Sequence, residues 1–242
     1  MKQSGLTIFV LGTLILSGTL SSCTNDYDNM ALLQPTALVT VRPTDKGSFV
    51  LQLDNTTILY PSNMKSSPFG NKEVRALVNY TDEGDCGGAR SGYINWIDSI
   101  RTKKPVPDLG IENDDRYGND AIEIVKDWVT IAEDGYLTLR IRTQWGMSDN
   151  KHYINLLTGV NPDDPYEVEL RHDANGDIGG SMGDALIAFN LNDLPGKGGQ
   201  DVKLKLNWKS FSGPKSAEFE LYLRPREQKD YTANISKNRC VE

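Results

Sequence analysis

The sequence predicts an all-β protein, a small five-stranded barrel followed by a seven-stranded β-sandwich. Three observations lead there. Short apolar runs alternate with period two instead of the helical 3.6. Pro, Gly, Asn and Asp bound nearly every run. One Pro-rich, acidic stretch near residues 103–115 divides the strand-rich chain in two.

Residues 1–22 carry one positive charge at the start, Lys2, and then a nearly unbroken apolar run over residues 6–20. A comfortable transmembrane helix needs about 20 apolar residues, and Asn25, Asp26 and Asp28 follow in place of basic stop-transfer residues. The segment therefore reads as a signal peptide. Its end, Leu20-Ser21-Ser22-Cys23, resembles the lipobox of bacterial lipoproteins: a branched apolar residue, two small residues that fit a peptidase groove, and a thiol able to carry a diacylglyceryl group. Cys23 is the expected lipidated first residue of the mature chain, with residues 23–34 as a flexible tether. Each buried methylene of an acyl chain contributes about 0.8 kcal/mol, so several chains on one residue anchor durably. The polar, acidic run after Cys23 resembles an export signal for surface display; a plain solvated tether accounts for it equally well. The expected location is the outer membrane, surface-exposed, with the periplasmic face as the alternative.

Five strands are expected within residues 35–104. Phe49, Leu51 and Leu53 alternate with Val50 and Gln52; Asp54-Asn55 turns the chain before residues 57–60; Val74, Ala76, Val78 and Tyr80 share one face; and a Gly-rich segment leads into residues 93–101. Five such strands suit a small barrel. Residues 105–120 are expected as a linker, and residues 120–126 fit either a helical turn or the lead-in to a strand.

Seven strands are expected in residues 121–225, near 127–133, 135–145, 151–158, 165–171, 184–191, 201–211 and 216–224. Leu137, Leu139 and Ile141 oppose Thr138, Arg140 and Arg142. Val202, Leu204, Leu206 and Trp208 oppose Lys203, Lys205, Asn207 and Lys209. Such strands are half buried, and seven of them make a two-sheet sandwich. Ser212-Gly213-Pro214 should turn the last pair into a hairpin, which sets the Lys-bearing face beside Glu218 and Glu220. Residues 226–242 lack alternation and are expected as a disordered tail.

Composition narrows the function. The net charge of −7 and the lack of a Lys/Arg cluster argue against nucleic acid. Of three cysteines, Cys23 is assigned to lipid, leaving Cys86 in a turn and Cys240 in the tail, whose pairing stays open. No Gly-x-Ser-x-Gly elbow, Walker loop, dinucleotide glycine turn or Cys-x-x-Cys pair occurs. No catalytic residue, metal or cofactor is expected, and the protein is read as no enzyme. The only two histidines, His152 and His172, fall at strand ends without ligand spacing and are expected to be solvated. Asp173, Asn175, Asp177 and Asp184 partly mimic the alternate oxygen ligands of a calcium loop, but Ile178 stands where such a loop wants Gly. A tight turn at Asn175-Gly176 is the favoured reading. Asp98-Ser99-Ile100 resembles a bacterial O-glycosylation acceptor, which makes Ser99 a candidate for modification. Trp96, Trp145 and Tyr153 are expected in the core, with sugar platforms as the alternative.

Several stretches, among them Tyr60-Pro61-Ser62-Asn63-Met64, Asn95-Trp96-Ile97-Asp98-Ser99-Ile100, Asp134-Gly135-Tyr136-Leu137-Thr138-Leu139 and Trp208-Lys209-Ser210-Phe211-Ser212-Gly213, resemble the NigD-like lipoproteins. The resemblance runs from about Pro35 to Pro225. It implies an N-terminal OB-like barrel and a C-terminal β-sandwich, and a non-catalytic, membrane-anchored protein tied to bacteriocin immunity or to binding another envelope protein. A surface glycan-binding module is the alternative. Ligand identity and oligomeric state are left open.

Overall fold

A computed structural model describes residues 31–44, 47–86, 89–146, 149–196 and 198–225. The signal peptide, Cys23, Cys240 and the tail lie outside the described residues, as does the side chain of Cys86. Residues 31–33 are helical. No helix among the described residues is long and apolar enough to cross a membrane. The barrel and the sandwich belong to one compact unit that begins at Gln34.

The barrel closes in the order β1 (Ala37–Pro43), β2 (Phe49–Gln52), β3 (Ile58–Pro61), β5 (Ala89–Ser99) and β4 (Val74–Cys86). All neighbours are antiparallel except β3 and β5. Alternation was a sound guide here: Val39, Val41, Phe49, Leu51, Leu59, Ala76, Val78 and Ile94 fill the interior. The turn between β2 and β3 is built by Asp54, whose Oδ1 accepts from the backbone N–H groups of Thr56 (2.8 Å) and Thr57 (2.7 Å). Gly92 sits where β3 meets β5. A Cβ there would press on the Tyr80 ring and the Leu59 methyls, so a larger residue would force these side chains to shift.

The sandwich has more strands than the alternation pattern announces. One sheet runs β6 (Arg101–Lys103), β13 (Ser181–Asn190), β10 (Tyr136–Trp145) and β8 (Glu123–Val125), with β9 (Ile131–Glu133) also paired to β10. The other runs β15 (Gly213–Leu223), β14 (Gln200–Ser210), β12 (Glu167–Asp173), β11 (Tyr153–Thr158) and β7 (Val106–Pro107). Between the sheets lie Leu137, Leu139, Ile141, Leu156, Leu170, Phe189, Leu204, Leu206, Trp208 and Leu221, among others.

Three expectations need correction. The segment 105–120 is not a free linker: β7 pairs in parallel with β11, and a short helix α1 (Asn113–Tyr117) follows, with Tyr117 buried. The barrel gives way to the sandwich earlier, because β6 already pairs in parallel with β13. The strand expected over residues 127–133 is mostly turn; β8 precedes it and β9 is its last part. The hairpin of β14 and β15 follows expectation, with Lys203 opposite Glu220, Lys205 opposite Glu218, and a Lys203–Glu218 ion pair at 3.0 Å.

Candidate functional site

Two polar constellations stand out, and each starts from a local backbone feature. The first begins at Asp134-Gly135, the two-residue loop joining β9 to β10. Asp134 has φ 53° and Gly135 φ 73°, the left-handed pair that a tight hairpin with the native strand twist requires. Gly135 is obligatory for a second reason, since a Cβ would overlap the Asn192 side chain. The turn points the Asp134 carboxylate at the joint between barrel and sandwich.

There it meets arginines from both sides. Arg224, just after β15, binds it in bidentate fashion, Nε to Oδ1 and Nη2 to Oδ2, both at 2.8 Å. Arg42 of β1 donates to the same Oδ1. Arg224 also donates to Glu73 at 2.7 Å, and Tyr136 donates its hydroxyl to Glu73 at 2.5 Å. Arg75 of β4 is fully buried; it reaches Glu133 at 2.5 Å, Thr40 at 2.9 Å and Thr138 at 3.3 Å. The guanidinium groups of Arg75 and Arg224 each lie over the Tyr136 ring, 5.8 and 5.3 Å from its centre.

Three arginines thus meet three carboxylates, Glu73, Glu133 and Asp134. Burial works against the charge on Arg224, but its bonds to Asp134 and the charge of Glu73 outweigh this and push its pKa up. Burial and the neighbouring Glu73 push the Tyr136 phenol well above its usual range. Burial likewise raises the Glu133 carboxyl, against the pull of Arg75. An apolar seam of Leu38, Ile100 and Ala188 lies at the same joint. A polar cleft of about 570 Å³ opens beside Arg224, lined by Lys104, Asn190, Asn192, Asp193 and Pro225. Its charges are matched, Lys104 to Asp193 at 2.9 Å and Arg224 to Asp134.

The second constellation overturns the expectation of solvated histidines. His172 is buried, and so is the His152 side chain. β11 and β12 pair with Ile154 opposite His172, and the His152 and His172 rings meet edge to edge, centroids 5.0 Å apart and planes 26° from parallel, with His152 Nδ1 2.9 Å from His172 Nε2. Trp145, at the end of β10, stacks on the His152 ring at 4.2 Å. His152 Nε2 lies 3.2 Å from Asp177 Oδ2, and His172 Nδ1 lies 3.1 Å from the carbonyl of Ala121. Strand alternation says nothing about what covers a strand end, so it does not reveal this pair.

The four oxygen-bearing residues at calcium-loop spacing do not converge. Asp184 on β13 holds Arg140 and Arg142; the bonds from Arg142 come first among the causes that bring its pKa down to about 2. Asp177 accepts from the Gly146 N–H at 3.0 Å, while Asp173 accepts from the Asn175 N–H at 2.7 Å. Asn175 and Gly176 have φ 51° and 81°, and the Asp177 N–H bonds to Ala174 O at 2.9 Å, which makes a tight turn. Among the described residues no group of three or more His, Cys, Asp or Glu is placed to hold a metal ion. Ser99 and Asp98 are exposed at the end of β5. Of the three aromatic residues expected in the core, Tyr153 is 50% exposed, while Trp96 and Trp145 are half buried.

Comparison with known proteins fits this architecture. Residues 38–100 match the NigD-like N-terminal OB domain, and residues 104–221 match the NigD-like C-terminal beta sandwich domain. A solved structure from Parabacteroides distasonis, described as toxin-related, is 31% identical, with 82% of this chain and 96% of that one covered at a TM-score of 0.65. A NigD-like immunity protein from Bacteroides caccae shares the fold at 22% identity, covering 75% of this chain and 90% of that one, TM-score 0.55. A protein from Bacteroides fragilis described as a lipoprotein shares it at 11% identity, covering 79% and 98%, TM-score 0.53. No curated protein matches the chain. With both domain models matched in order and a relative alike over nearly its whole length, the chain belongs to the NigD-like family.

Proposed function

We propose that this protein is a non-catalytic lipoprotein, held at the outer membrane by acyl chains on Cys23, that acts by binding another protein, with bacteriocin immunity as its role. The observation that carries the reading is the likeness, at 31% identity over most of both chains, to a protein described as toxin-related. Two further neighbours in fold support it, one described as an immunity protein and one as a lipoprotein. A protein that intercepts a toxin works through a surface held in fixed shape, because order present before contact lowers the entropic cost of association. The joint of paired arginines and carboxylates supplies that rigidity between barrel and sandwich.

The test is a deletion strain exposed to bacteriocin-containing supernatants of related bacteria. Heightened sensitivity, restored by the wild-type gene and not by Cys23→Ala, is expected; unchanged sensitivity contradicts the immunity role. The second reading, a surface glycan-binding module, draws support from the half-exposed Tyr153 ring. Specific signal on a glycan array, lost in Tyr153→Ala, would favour it.

A further inference from the structure

The buried histidine pair invites a count of protons. Three contacts run in a line: Ala121 O to His172 Nδ1, His172 Nε2 to His152 Nδ1, and His152 Nε2 to Asp177 Oδ2. Each needs one hydrogen between its two heavy atoms. The carbonyl has none to give. Two neutral imidazoles supply two, and an ionised carboxylate supplies none. With two protons, one contact must set lone pair against lone pair at 2.9–3.2 Å, between buried side chains. A third proton satisfies all three.

Its place follows from the surroundings. Asp177 Oδ2 already accepts the Gly146 N–H at 3.0 Å, which favours the ionised carboxylate. Burial, and after it the neighbouring His152 charge, hold His172 below the usual imidazole range, against the Ala121 carbonyl and the carboxylates of Asp120 and Asp173. His172 therefore stays neutral, protonated on Nδ1. His152 is the imidazolium, giving one proton to Asp177 and the other to the lone pair of His172, with the electron-rich face of Trp145 stacked on it.

We propose that His152, His172 and Asp177 form a proton-binding site that locks one end of the sandwich. The line ties the 121 segment, the residue that leads into β11, β12, the turn at 174–177 and the Gly146 backbone to one another. Loss of the third proton turns one of these ties into a repulsion and releases the turn. Ile178 and Met182, both exposed, lie just beyond it, so protonation sets how firmly this surface is held.

The experiment is nitrogen-15 NMR of the imidazoles in the full chain, which has only two histidines and hence four ring nitrogens to follow. Between pH 9 and pH 5 the pair should gain one proton, the protonated nitrogens rising from two to three. Constancy across that range, or a rise to four with both rings cationic, would overturn the proposal. In thermal melts the wild type should gain Tm as pH falls through this step. His152→Gln, whose amide takes up no proton, should lose that gain; an identical gain in the variant would count against the site. If the variant fails to fold, the proton count decides alone.

Discussion

At the scale of single residues, the joint is where a change should cost most. Arg75 is fully buried and neutralises Glu133. Removing one partner of a buried pair strands the other, at a cost of about 3–5 kcal/mol. Arg75→Leu should therefore lose about that much stability in urea melts, and a loss under about 1 kcal/mol would mean that water reaches Glu133. The acid limb of stability belongs to other residues. Bonds from Asn161, Lys205 and Asn207 bring Glu167 down to about 2, and Asp184 reaches about 2 through Arg142 and Arg140. A carboxylate whose folded pKa is depressed contributes stability above its unfolded pKa, and that contribution is lost as pH falls to the folded value. From the ordinary values of 4.5 and 3.8 the window lies between about pH 4.5 and pH 2. Glu167→Gln with Asp184→Asn should flatten the fall in Tm there; an unaltered slope would place the acid sensitivity elsewhere. Neither the joint nor the histidine pair was legible in the sequence, because the contacts join residues 20 to 151 positions apart. A polar or charged residue on a strand reads as a solvated face until a second domain is laid over it, as happens to Thr138 and Arg75.

At the scale of elements, the strands with a plain two-residue period were legible. Residues 137–141 and 202–208 bury the face their alternation picks out. The short parallel strands β6 and β7 were not, since two or three residues carry no period and their partners are remote. Gly135 offers the clearest element-level test. Gly135→Ala places a Cβ against Asn192 in a left-handed conformation, and strain of that kind costs about 1–3 kcal/mol. Gly176 has a similar φ with open space around it, so Gly176→Ala should cost less. Equal losses of Tm in the two variants would mean that backbone conformation alone, and not the close approach to Asn192, governs the β9–β10 turn.

At the scale of the whole molecule, the barrel and the sandwich act as one body. Each has its own apolar interior, yet between them lie three arginines, three carboxylates and an apolar seam. Two domains joined only by a linker would melt separately; here either one, unfolding alone, would leave buried charges of the other unpaired, a penalty of several kcal/mol. The binding role proposed above needs such a fixed arrangement of two β modules. Scanning calorimetry of the wild-type chain tests this most directly. A single transition with equal calorimetric and van't Hoff enthalpies is the predicted result. Two resolved transitions, one for each module, would contradict it.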